Sequence, residues 1–83
     1  MMKPLKPGMW IVVEWFDASD LHGWNDQDKM KQHHTMPVVT VGSVVEDGKD
    51  VILLTGSRAA DGSGLGCLAI PRGWVHKIRR VRW

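Results

Sequence analysis

The stretch Met9–Phe16, MWIVVEWF, constrains this chain more than any other. Read as an extended segment, it sets Ile11, Val13 and Trp15 on one side and Trp10, Val12, Glu14 and Phe16 on the other. β-Branched and aromatic residues suit a pleated strand, and here both sides are largely apolar. Such a strand is central in its sheet or is covered on its second side by a partner.

The rest of the chain repeats the β signal in short pieces. Met36–Val45 (MPVVTVGSVV) is dominated by Val and Thr, and Gly42 is expected to bend or bulge it. Asp47-Gly48 is a hairpin dipeptide within the turn Glu46–Asp50. Val51–Gly56 (VILLTG) reads as a buried strand, and Arg58–Gly66 (RAADGSGLG) as a mobile loop. A fourth strand is expected over Gly66–Ile70, then a single helical turn over Pro71–Val75, because Pro71 cannot donate to a sheet and Gly73 permits a tight turn. His76–Trp83 completes the set as a fifth strand. Nineteen residues, Asp17–Thr35, separate the first two strands, and Asn25 or Asp26 is placed to cap a short helix ending near Gln32.

The pattern predicts an all-β fold, a small five-stranded SH3-like barrel with a long first loop. Residues 1–8 form an extended lead-in and 9–83 a single domain. With 83 residues the core is limited, and a homodimer or higher homo-oligomer is expected to supplement it. No apolar run approaches the roughly 18 residues of a membrane span, and the first residues lack a signal-peptide core, so a cytoplasmic protein without a membrane partner is expected. The one cysteine, Cys67, excludes an internal disulfide and is read as a buried structural thiol in the run Cys67–Ile70.

Charge is unevenly distributed. Residues 1–35 hold four basic and five acidic side chains, residues 36–71 two and four, and residues 72–83 five basic and none acidic. Any anion is expected near Arg72, Lys77, Arg79, Arg80 and Arg82. In the last strand, Lys77, Arg79 and Trp83 alternate with Ile78, Arg80 and Arg82, and a bulge near Arg79-Arg80 is expected to bring Val81 onto the side of Ile78.

Catalytic patterns are missing. His33 and His34 are adjacent, His22 and His76 are remote, and no zinc spacing occurs. No nucleophile elbow surrounds Ser43, Ser57, Ser63 or Cys67, and DGSGLG lacks the Lys-Ser/Thr of a phosphate loop. The expectation is a binding protein, with no enzyme activity and no cofactor.

The segments VEWFDA, GW, VGSVVEDGKDVILLTGS and IPRGWVHKIRRV, across residues 10–81, resemble a group of small phage-type proteins. That resemblance implies an SH3-like barrel. It also implies a role as a viral sponge, an oligomer that sequesters nucleotide signals of antiviral immunity. The residues suggest how a small anionic nucleotide ligand could be held. Arg58, Arg72 and Lys77 would contact phosphate, Trp24 and Trp74 would stack on a base, and Asp17 would accept from a ribose or base edge, with Trp15 and His76 beside them. Single-stranded nucleic acid is the weaker alternative, because the net charge of residues 1–71 is −3. Direct binding to a host protein is the third.

Overall fold

The computed structural model describes residues 4–82. It contains β1 (Trp10–Asp17), α1 (Gln27–Lys31), β2 (Met36–Asp47), β3 (Val51–Thr55), β4 (Leu68–Pro71), a 3-10 turn (Arg72–Trp74) and β5 (Val75–Arg80). The fold is all-β: one antiparallel sheet of five strands in the order β4-β3-β2-β1-β5. β1 is an interior strand next to the edge strand β5, pairing with β2 from Trp10↔Ser43 to Asp17↔Met36 and with β5 from Ile11↔Arg80 to Trp15↔Val75. Among the described residues no rung joins β4 to β5, so the expected closure into a barrel is not part of the observed pairing.

One side of the sheet carries the core. Ile11, Val13, Trp15, Val44, Ile52, Leu54 and Ile70 are buried there, with Leu5, Met9, Val38, Val75 and Ile78 packed against them. At about 1.5–3 kcal/mol for each large side chain, this cluster supplies most of the driving force for folding. The lead-in is tied to the sheet: the Gly8 amide donates to the Val44 carbonyl at 2.8 Å, and Leu5 covers the edge of the core.

Two bulges set which residues face inward. The shift expected at Gly42 lies instead between Val44 and Glu46, where Val45 is the extra residue opposite β3. Gly42 stays in register with Ile11 because its missing side chain is what admits Leu54 and Thr55; a Cβ there would lie 3.1 Å from Leu54 Cβ. On β5 the pairing is regular through Lys77–Arg80, so no bulge occurs at Arg79-Arg80. The shift falls between Glu14 and Trp15, with His76 as the extra residue. The strand ends at Arg80, and Val81 follows it with its amide donating to the Trp10 carbonyl at 2.9 Å. Trp83, expected on the face of Lys77 and Arg79, lies outside the described residues, as do residues 1–3 of the lead-in.

The first loop projects from the sheet as an arm. α1 is capped by Asp26, whose carboxylate accepts from the Lys29 amide at 2.8 Å, and none of its residues is buried. The arm is closed at its neck, where the Ser19 hydroxyl donates to the His34 carbonyl at 2.6 Å and meets His33 Nε2 at 3.0 Å. The radius of gyration is 15.9 Å, against about 12 Å for a compact domain of this length. Cys67, expected to be buried, is exposed: β4 begins only at Leu68, and Cys67 belongs to the loop before it.

Candidate functional site

The residues singled out from sequence separate into three groups. Arg58 and Arg72 are bound to the protein itself. Arg58 Nε donates to Ser43 Oγ at 3.1 Å, and its two terminal nitrogens donate to the carbonyls of Val44 and Gly62, both at 2.7 Å. It thereby pins the 57–66 loop to β2. The loop is closed further by the Arg58↔Gly64 bridge and by Asp61, which accepts from the Ser63 hydroxyl and amide. Those two bonds, the hydroxyl foremost, hold the Asp61 carboxyl below its ordinary range.

Arg72 is equally committed. Its Nε donates to the Gly48 carbonyl at 2.8 Å, its guanidinium pairs with Asp47, and its amide donates to the Asp50 carbonyl at 2.9 Å. It therefore fastens the start of the 3-10 turn to the β2–β3 hairpin. Neither arginine presents a free fork to a phosphate group.

The second group gathers at the end of β1. Trp15 is buried in the core, donates from Nε1 to Thr40 Oγ1 at 3.0 Å, and stacks on Trp74 with centroids 6.4 Å apart and planes 12° from parallel. Phe16 meets His76 edge-on at 5.5 Å. Phe16, Trp74 and His76, with Ala18 and Thr35, line a cleft of about 370 Å³. Asp17 ends β1 beside it, and its carboxylate accepts from the Ala18 amide at 2.8 Å. Lys77 faces Glu14 on the outer side of the sheet. This region has aromatic surface and one cation, and Trp24 is not part of it, being fully exposed on the arm.

The third group joins Arg80 and Arg82, of the basic run expected to attract an anion, to Lys6, which was not singled out from sequence. At the opposite end of β1, the lead-in lies against the end of β5, and Lys6, Arg80 and Arg82 converge there. They rim a groove of about 540 Å³ whose lining also includes Pro4, Leu5, Met9 and Ile78. An adjoining groove of about 500 Å³ is lined by Gly8, Met9, Trp10, Arg80, Val81 and Arg82. Among the described residues no carboxylate lines either groove, and the one ion pair is Arg72–Asp47. Three exposed cations thus share these grooves without a carboxylate beside them among the described residues, which favours an anion there. The basic run Lys77–Arg82 was the available signal; its meeting with Lys6, more than seventy positions away, depends on β5 crossing to lie beside β1.

The fold and the groove define a small all-β protein with a basic, apolar-floored recess at one end of its sheet. Comparison with protein-family models, with curated proteins and with solved structures yields no match. Among the described residues, no helix is long and apolar enough to cross a membrane.

Proposed function

We propose that this chain is a non-catalytic binding protein that holds a small, multiply charged anion of nucleotide type, with Lys6, Arg80 and Arg82 on its phosphates. The observation that supports this reading is the convergence of three cations, without an ion-pair partner among the described residues, on grooves that no described carboxylate lines, one of them floored by Leu5, Met9 and Ile78. Guanidinium groups suit phosphate because their planar forks make two parallel hydrogen bonds. Met9 and Trp10 offer the polarizable and flat surfaces a base requires. The positive charge is compact, which suits a ligand of two or three charges better than a long polyanion. Following the resemblance to phage-type proteins, the use of such binding is sequestration of a nucleotide immune signal in the host cytoplasm, without turnover.

Thermal unfolding in the presence of a panel of cyclic and linear nucleotides tests the reading. A ligand at a hundred times its Kd adds about 2.7 kcal/mol, which raises the Tm of a domain this small by on the order of 10 °C. The bound nucleotide should be recovered unchanged. The paired substitution Arg80→Ala/Arg82→Ala should abolish the rise, and a rise that persists in that variant would sink the assignment to this groove. A mobility shift of single-stranded DNA with no response to any nucleotide would replace the reading with nucleic-acid binding.

A further inference from the structure

Among the described residues the outer edges of β5 and β4 and one stretch of β2 lack a strand partner, and they are not alike. β5 presents Lys77, Arg79 and Arg80 along its outer edge, and β4 has only four residues and ends in Pro71. Charge, brevity and proline are ordinary protections against pairing with another chain. The third edge belongs to β2. Ser43↔Thr55 is the last rung between β2 and β3, so residues 36–42 pair with β1 alone. This segment, MPVVTVG, carries no charge.

The register shows which groups that edge offers. The Val44 amide donates to the Met9 carbonyl at 2.8 Å, so Val44 turns its backbone toward β1. By alternation Gly42, Thr40, Val38 and Met36 also face β1, whereas Val41, Val39 and Pro37 face away. The outward row therefore holds two amide donors, at Val39 and Val41, and a proline where no donor can exist. Their side chains are exposed, Val39 by 64% and Val41 by 57%, and lie on the outer side of the sheet with Phe16 and Val12.

We propose that this edge is a dimer interface at which β2 of a second copy of this chain adds antiparallel to β2 of the first. Charge selects the occupant: two β5 edges would set cations opposite cations, whereas two β2 edges meet with no charge at all. A register centred on Val39 uses every donor. The two Val39 residues exchange both hydrogen bonds, and each Val41 amide donates to the Pro37 carbonyl of the partner strand, where proline's missing N–H is no loss. The same register stops short of Ser43, where β3 takes over, and it joins Phe16, Pro37, Val39 and Val41 of both copies into one apolar surface. The interface lies beyond β2 on one flank of β1, whereas Arg80 and Arg82 belong to the β5 side on the other flank, so it stands or falls independently of ligand binding.

Light scattering on the eluting full-length chain across a concentration series tests it. The wild type should carry the mass of two chains at high micromolar concentration. Val39→Lys/Val41→Lys should carry the mass of one, with an unchanged circular dichroism spectrum, because both side chains are exposed in the single chain. Val41→Pro, which removes one edge donor, should weaken the dimer at least tenfold. A wild type that stays monomeric at every concentration overturns the proposal, and so does a dimer unaffected by the lysine pair. Trp24→Lys, on the exposed tryptophan of the arm, should leave the mass unchanged; a monomer in that variant would move the interface to the arm and overturn the assignment to β2.

Discussion

The arginines of the β2–β3–β4 half and those at the end of β5 have the same side chain and opposite employment. Arg58 and Arg72 reach backbone carbonyls that their neighbours leave open, at Val44, Gly62 and Gly48, and they become part of the architecture. Arg80 and Arg82 sit where β5 ends against the lead-in, with aliphatic neighbours and no carboxylate in the groove they line. A guanidinium is a structural clamp where loops expose carbonyls and stays available to an outside partner where the surroundings offer none. Local charge density alone does not separate the two cases.

Substitutions can break this contrast. The largest effect is expected for Arg58→Ala, which leaves the buried Ser43 hydroxyl without its donor and frees the 57–66 loop. A loss of about 2 kcal/mol follows from the desolvated group, seen as a Tm lower by on the order of 10 °C, while nucleotide affinity stays as it was. Arg72→Ala should cost somewhat less, about 1.5 kcal/mol, because its pair with Asp47 is partly exposed. Calorimetry of both variants checks the ranking, and an Arg72 variant of unchanged Tm would show that the clamp is ornamental. Arg80→Ala and Arg82→Ala should each change stability by no more than about 0.5 kcal/mol and yet weaken nucleotide binding at least tenfold. Equal destabilisation by all four substitutions would erase the distinction.

The smallest effect concerns Asp61. Its carboxyl is held below its ordinary range by Ser63, so its contribution to stability is present above the pKa of the unfolded chain and is lost as pH falls through the lower folded value. Asp61→Asn should therefore be slightly less stable than wild type at neutral pH, and the two Tm values should converge in acid. A difference that grows on acidification would contradict this sign.

The strands, the Asp26 cap and the 3-10 turn were legible because each rests on neighbours in sequence: alternation in MWIVVEWF, an Asx residue before a helix, a Pro and a Gly around one turn. What escaped rests on distant partners. The bonds of Arg58 go to carbonyls on two other segments, and carbonyls are present at every position, so no residue type announces them. Of the eight residues expected to bind ligand, Trp15 proved to be core, Arg58 and Arg72 proved to be clamps, and Trp24 stands alone on the arm. Trp74 and His76 do line one cleft at the end of β1, where Asp17 ends the strand, while Lys77 stands opposite Glu14. The depth of Cys67 was misread because the run Cys67–Ile70 is apolar, whereas the strand starts at Leu68, two residues after the expected Gly66, and of that run Ile70 alone is buried.

His76 decides more than its own position. As the extra residue opposite the Glu14–Trp15 step, it sets the parity of everything after it on β5. With it, Ile78 packs on the core and Lys77 and Arg79 face outward. Pairing it regularly opposite Glu14 would exchange the two sets, setting Lys77 and Arg79 against Val13 and Ile11 and turning Ile78 to solvent. The alternation of charge that makes this strand so awkward to place is thus resolved by a single inserted residue, which acts as a reading-frame setting for the whole C-terminal segment.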